Sequence, residues 1–138
     1  MSETQPATRD AAARRRAIST PDAPPALGPY SQAIIAGGLV FCSGTVGITP
    51  DGEVQVGIEA QTHTALDNLA AILQAAGSSF DQLVKVTIFY SDVADFPIIN
   101  EIFQTRMPVP PPARSAPANV KLPRGLLISI EAIALAGE

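Results

Sequence analysis

The sequence has little from which to build a disulfide, a metal site or a membrane span. Its 138 residues include one cysteine, Cys42, and one histidine, His63, which excludes an internal disulfide and leaves a structural zinc site short of ligands. No apolar run reaches the roughly 18 residues that a membrane-spanning helix needs. A lone cysteine suits a reducing compartment. We therefore expect a cytoplasmic protein without a metal or a membrane partner.

Basic and aromatic residues are also scarce. The formal net charge is −4, tryptophan is absent, and aromatic residues make up only 5% of the chain. Nucleic-acid binding relies on a positive surface, and single strands also need aromatic rings on which bases stack. We therefore predict no nucleic-acid partner. The core is expected to consist mostly of Val, Ile, Leu and Ala.

Composition divides the chain near residue 17. Residues 1–17 mix small, polar and charged side chains without apolar periodicity, so we predict a disordered N-terminal tail there. Residues 18–138 have the composition of a folded protein and a length near the commonest domain size. We predict that they form a single domain.

Apolar periodicity and turn signals predict the order β-β-(β)-α-β-α-β-β. Gly37-Gly38 is the clearest hairpin signal, because glycine supplies the positive φ angles of a tight turn. Pro117 cannot donate to a sheet ladder, so its strand is predicted to lie at an edge or to be bulged. The predicted strands are 33–36, 39–43, a short one at 54–56, 84–90, 113–119 and 126–135, and the predicted helices are 58–76 and a shorter one from Asp95 to before Pro108.

This order predicts an α+β fold, a mixed β-sheet with two helices on one face. One helical layer leaves the other face of the sheet uncovered. Several predicted strands are nevertheless apolar at consecutive positions, as in Leu39–Cys42, so both of their faces need cover. We therefore predict a homo-oligomer in which a second subunit covers the free face.

Two charged residues stand out near the end of the chain. The proline run at 110–112 delivers one guanidinium, Arg114, into a region with few other charges, and Glu131 is the single carboxylate of a strongly apolar strand. Burying a carboxylate without a partner costs several kcal/mol. Glu131 is therefore expected either to point outward or to lie in a polar pocket, with Arg114 as the candidate partner.

Six segments of the chain together resemble the RidA family, also called the YjgF family. The resemblance covers residues from about Ile18 to Ala134, and its specificity lies in the joint order and spacing of the segments. It implies a chorismate-mutase-like fold, a homotrimer and active sites in clefts between subunits. It also implies hydrolysis of reactive 2-imino acids, by-products of pyridoxal-phosphate enzymes, to 2-keto acids and ammonia. The segments are Ala26–Gln32, Val40–Gly44, Gln61–Leu69, Asp95-Phe96 with Asn100, Pro112–Ser115 and Ile130–Ala134.

The chemistry of such a substrate gives roles to Arg114 and Glu131. A small 2-imino acid presents a carboxylate beside an electrophilic C=N carbon. The guanidinium of Arg114 can bind both carboxylate oxygens, and Glu131 suits the general base that places water on the carbon. No cofactor is expected, because imine hydrolysis needs mainly orientation. By resemblance, four further residues line the same cleft and contact substrate or water, namely Tyr30, Ser43, Gly44 and Asn100.

Two departures from the family pattern concern the pocket. Ala116 stands where the family's deaminases commonly have a cysteine, and alanine can replace it if this position contacts substrate through its backbone N–H. The segment between Asn100 and Arg114 is a few residues shorter than usual and rich in proline, which bears on substrate size.

Two other functions stay open at this point. A non-catalytic, regulatory trimer could use the same clefts to hold small carboxylates. A ribonuclease activity, which is sometimes attached to the family, is disfavoured by the negative charge and by the lack of a histidine available for acid–base work at the motifs.

Overall fold

Strands with alternating burial form one mixed six-stranded sheet. The computed structural model describes residues 14–137, and its strand order is β1-β2-β3-β6-β4-β5. All neighbouring strands are antiparallel except β4 and β5, which are parallel. The α+β prediction is confirmed. The strands are β1 (Arg16–Ile18), β2 (Ala33–Ala36), β3 (Leu39–Val46), β4 (Leu83–Tyr90), β5 (Ala113–Ser115) and β6 (Ile128–Leu135).

Two helices cover one face of this sheet. They are α1 (Ile58–Ala75) and α2 (Phe96–Arg106). The apolar stripe of α1 is fully buried at Leu66, Leu69 and Leu73, as its helical spacing predicts. Gly77 follows with a positive φ of 75°, a conformation that favours glycine and ends the helix. Within residues 14–137, neither helix combines the length and hydrophobicity of a membrane span.

A polar contact joins the two helices. Arg106, in the last turn of α2, donates to the carboxylate of Asp67 at 2.8 Å and to the backbone carbonyl of His63 at 3.2 Å, both on α1. Its guanidinium also lies 3.2 Å from Nδ1 of His63. This contact joins the last turn of α2 to α1.

The two faces of the sheet differ in cover. On the helix side, Val86, Ile88, Ile128 and Ile130 are completely buried. The opposite face, here called the open face, carries Phe41 and Leu135 with 42% and 49% of their surface exposed, together with the partly buried Ile34 and Ile133. Such an apolar surface is typical of a subunit interface. The homo-oligomer predicted from it remains a prediction.

Several segment boundaries differ from the prediction. The strand predicted at 39–43 continues to Val46, and the strand predicted at 126–135 begins at Ile128. In place of a strand at 54–56, the structure has a single bridge between Ile48 and Val54, and Val56 is 92% exposed. The strand predicted at 113–119 ends at Ser115, because Pro117 cannot continue a ladder, and its edge position is confirmed.

Another difference concerns the predicted tail. Arg16 and Ala17, which we assigned to it, belong to β1 and pair with β2. Residues 1–13 lie outside the described residues, so the tail prediction is not tested there. The sheet therefore begins at least two residues before Ile18, where the predicted domain starts.

Candidate functional site

Arg114 projects towards the helices from the edge strand β5. It pairs with Val86 of β4, which is completely buried beneath the helices, and paired residues of neighbouring strands point to the same face. The carbon of its guanidinium lies 5.5 Å from the ring centroid of Phe96 and 5.9 Å from that of Phe103, both on α2. Each cation–π contact contributes about 0.5–2 kcal/mol. The two rings hold a planar cation in place and leave its charge without a carboxylate partner among the described residues.

A third aromatic ring packs against one of the two that contact Arg114. The ring of Phe96 stacks on Tyr90 with centroids 6.1 Å apart and an interplanar angle of 28°. Phe96 and Phe103 both lie within the second predicted helix, but the sequence analysis missed their contact with Arg114. Phe96 and Phe103 are seven residues apart, which places both on one face of α2 two turns apart. That spacing is the signal that could have found them.

A cleft of about 380 Å³ opens beside Arg114. Asn100, which the resemblance assigned to the pocket, is on its wall, so the structure brings these two predicted residues together. Within residues 14–137, Arg114 is the only charged residue that lines this cleft, and the amides of Asn100 and Gln104 are its polar neighbours. The remaining lining residues are apolar, namely Val86, Phe103, Met107, Pro108, Val109, Pro111 and Pro112.

Glu131 lies on the opposite side of the sheet. It pairs with Thr87, one position beyond the pairing of Val86 with Arg114, and side chains alternate between faces along a strand. Its carboxylate is exposed on the open face and has no hydrogen bond or ion pair among the described residues. The pairing of Arg114 with Glu131 that we expected is therefore wrong within one protomer, and the alternative that we kept open, an outward-pointing Glu131, is correct.

The surroundings of Glu131 mix polar and apolar side chains. A shallow cleft of about 270 Å³ contains Glu131 together with Phe41, Lys85 and Thr87. Lys85 supplies a positive charge to this cleft, and the aromatic ring of Phe41 forms an apolar wall. This is a partly exposed site in which a carboxylate keeps access to water.

Tyr30, Ser43 and Gly44 come together at a third place. They line a depression of about 60 Å³. The hydroxyl of Ser43 donates to the backbone carbonyl of Ser31 at 2.6 Å, which leaves its lone pairs free to accept a hydrogen bond. A Cβ at Gly44 would meet the hydroxyl of Ser129, which would have to rotate away, so glycine lets Ser129 keep its present position.

The loop that carries Tyr30 is fixed by a buried glutamine. The side-chain amide of Gln32 donates to the carbonyls of Thr20 and Pro24 at 3.2 and 2.8 Å, and its oxygen accepts from the backbone N–H of Thr20 at 2.7 Å. Tyr30 itself is 55% exposed. The loop therefore presents an exposed phenol on a rigid support.

Two polar residues of the matched segment 61–69 have structural roles. The amide of Gln61 donates to the carbonyl of Gln55 and accepts from the backbone N–H of Leu127, at 3.0 and 2.9 Å. Asn68 donates to the carbonyl of Ile48 at 2.8 Å. These buried side chains satisfy loop backbone groups and account for the segment without a catalytic role.

Ala116 does not line the cleft beside Arg114 but packs against the core. It follows Arg114 by two positions, so its backbone N–H is the group that could still contribute to a pocket.

Among the described residues, no group of three or more His, Cys, Asp or Glu side chains is arranged to hold a metal ion.

Cys42 is buried in β3, and burial raises the pKa of its thiol from the usual 9.0 to about 12. At pH 8 the reactive thiolate is therefore nearly absent. We expect iodoacetamide to alkylate the native protein at least about 100-fold more slowly than the protein unfolded in guanidinium chloride. Mass spectrometry of timed samples measures both rates. Equal rates in the two conditions would contradict a core position for this thiol.

Comparisons with known proteins give one consistent result. A family model described as endoribonuclease L-PSP matches residues 20–136. The chloroplastic Reactive Intermediate Deaminase A of Arabidopsis thaliana is 46% identical over 123 residues, which cover 88% of this chain and 66% of that protein, just under two thirds of its length. The 2-iminobutanoate/2-iminopropanoate deaminase of Mus musculus is 43% identical over 125 residues, 89% of this chain and 93% of that protein. The crystal structure of RidA from an Antarctic Psychrobacter superimposes with a TM-score of 0.85 at 38% identity, covering 88% and 99% of the two chains.

Proposed function

This chain belongs to the endoribonuclease L-PSP family, and we propose that it is a hydrolase of C=N bonds that converts small 2-imino acids to 2-keto acids and ammonia. The observation that carries the proposal is a single guanidinium, Arg114, held by two aromatic rings at the side of a largely apolar cleft. Such a cleft suits a small anion with an apolar remainder. Because relatives bear the names of deaminases, this function fits better than that of a binding protein without activity.

Arg114 is proposed to bind the substrate carboxylate through two parallel N–H···O bonds. Each such charge-assisted bond contributes about 1.5–3 kcal/mol. The fixed carboxylate places the adjacent imine carbon at one position. Water then adds its oxygen to that carbon, the C=N electron pair moves to nitrogen, and the nitrogen takes up a proton. In the resulting carbinolamine, the hydroxyl proton passes to the amino group, the O–H electron pair forms the C=O bond, and the C–N bond breaks. Ammonia then leaves, and the 2-keto acid remains.

Glu131 is proposed as the base that accepts the proton of the attacking water. Within one protomer it lies on the other face of the sheet from Arg114, so one chain alone does not place both at one substrate. We therefore propose that a homotrimer builds the active site between subunits. The apolar open face, with Phe41 and Leu135 partly exposed, supports this assembly, because an oligomer would cover it.

The remaining site residues are proposed to close the pocket across that interface. Tyr30, Ser43 and Gly44 form one group, and Asn100 lies with Arg114 in another. A neighbouring subunit would bring the first group to the second, where the phenol and the serine oxygen can hydrogen-bond substrate or water. The backbone N–H of Ala116 is a further proposed donor.

No cofactor enters this mechanism, since orientation of water and imine is its main requirement. We propose a cytoplasmic location because Cys42 is a free thiol. The plant relative's printed name places that protein in the chloroplast. Nucleic acid is not a proposed partner, because the net charge is −4.

The proposed function is tested in a threonine dehydratase reaction. The dehydratase releases 2-iminobutanoate, so adding the purified protein should accelerate the formation of 2-oxobutanoate at constant dehydratase activity. A semicarbazide trap for the imine sharpens the measurement, because the protein then competes with the trap. An unchanged rate at excess protein, with saturable binding of 2-oxobutanoate, would instead support the non-catalytic trimer.

A further inference from the structure

The cleft beside Arg114 is large for the substrates named for the mouse relative. Its volume of about 380 Å³ falls within the roughly 300–1,000 Å³ of clefts that hold drug-sized ligands. The side chain of 2-iminobutanoate is an ethyl group, and that of 2-iminopropanoate is a methyl group. Once Arg114 holds the carboxylate, either substrate leaves much of the cleft empty.

The walls of the empty part are apolar. Met107, Val109 and Pro111 lie in the proline-rich segment between α2 and β5, and Phe103 and Val86 form the floor. Val109 is 96% exposed in the protomer, and Met107 is partly buried. Exposed apolar side chains that surround a cleft gain free energy when a ligand covers them. The polar groups, Arg114 and the amides of Asn100 and Gln104, are enough to orient one carboxylate and one imine nitrogen.

From this arrangement we infer that the cleft is a side-chain subsite, and that this protein prefers 2-imino acids with apolar side chains of about four carbons, such as isobutyl, to those with methyl or ethyl. The inference rests on the proposed function for the role of Arg114 and deepens it by naming the substrate class. Imino acids of this kind form when an amino acid with a branched apolar side chain is oxidised at its α-carbon.

The preference should appear in binding as well as in turnover. Burial of one methylene strengthens binding about fourfold. Stable 2-keto acids share the carboxylate and the side chain of the imines and serve as probes. In isothermal titration of the full chain, the Kd of 4-methyl-2-oxopentanoate should be roughly tenfold lower than that of 2-oxobutanoate, and pyruvate should bind more weakly than either.

A matched pair of variants locates the effect. Val109→Asp places a charge at the apolar wall, and Val56→Asp makes the same change at a side chain that is 92% exposed and does not line the cleft. The measured quantity is the Kd of 2-oxobutanoate divided by the Kd of 4-methyl-2-oxopentanoate. Because both keto acids carry the same carboxylate, repulsion between it and the new aspartate cancels in this ratio. The ratio should fall towards one in Val109→Asp and stay unchanged in Val56→Asp.

The outcomes separate this inference from the proposed function. Equal affinity for the three keto acids, or no binding of any, would overturn the subsite. A neighbouring subunit that fills the cleft would show as equal affinities together with an altered oligomeric state of Val109→Asp, and would overturn it too. A side-chain preference in binding would uphold the subsite and refute the deaminase if the protein accelerated hydrolysis neither of 2-iminobutanoate nor of the imine that forms when leucine is oxidised at its α-carbon. Hydrolysis of 2-imino acids without a side-chain preference in binding would support the deaminase and refute the subsite.

Discussion

Arg114→Ala should lower kcat/KM for 2-imino acids by about 10²–10⁴, one of the two largest effects expected of a single substitution in this protein. The reason is the loss of two charge-assisted hydrogen bonds to the substrate carboxylate, together about 3–6 kcal/mol. Arg114 is on the edge strand and contacts two rings rather than a carboxylate, so its removal should leave the fold intact. The measurement is the dehydratase assay, with circular dichroism to verify folding.

Arg106→Ala is the matched control for this experiment. It removes the same group, but Arg106 binds Asp67 and the carbonyl of His63 instead of facing the cleft. We expect unchanged kcat/KM and a loss of about 1 kcal/mol of stability. Arg114→Lys should regain only part of the activity, because an ammonium cannot form the bidentate contact. Full activity of Arg114→Ala would remove the basis of the proposed mechanism.

Local sequence signals predicted most of the elements correctly. Gly37-Gly38 forms the expected turn with φ angles of 59° and 78°, and β2 has the predicted bounds, 33–36. The helical spacing from Ile58 onwards gave α1, and alternation gave β4 to within one residue. These features depend on near neighbours in the chain, where period and turn chemistry decide the outcome.

The errors arose where distant contacts decide the structure. The strand β1 exists because Arg16–Ile18 pairs with β2, a partner that short segments do not reveal. Val56 alternates with Val54 but has no ladder to join, so it remains exposed. A period-two pattern marks a segment that can form a strand, and the partner strand decides whether it does.

The candidate site shows the same division. The residue types of Arg114 and Glu131 suggested their chemistry, but the sequence did not show on which face of the sheet each would lie. That depends on register, and a shift of one residue reverses the face. Arg114 aligns with Val86 and Glu131 with Thr87, so the two side chains leave the sheet in opposite directions. In the proposed trimer, Arg114 of one subunit and Glu131 of a neighbouring subunit would together form one active site.

Glu131 also has a simpler interpretation, as a polar residue on an apolar face that keeps protomers in register. The two roles predict different kinetics. A register residue acts through assembly, so its loss would alter the oligomeric state and every kinetic constant together. A general base acts on the attacking water, so its loss would lower kcat and spare binding of the carboxylate by Arg114.

Glu131→Gln should therefore lower kcat by about 10²–10⁴ and leave KM within a few-fold, because the amide keeps the shape of the side chain but cannot accept a proton from water. Glu59→Gln, an exposed carboxylate at the start of α1, is the control and should change neither constant. If Glu131→Gln kept wild-type kcat while size-exclusion chromatography with light scattering showed a changed assembly, Glu131 would be a contact between subunits, and the attacking water would need another base.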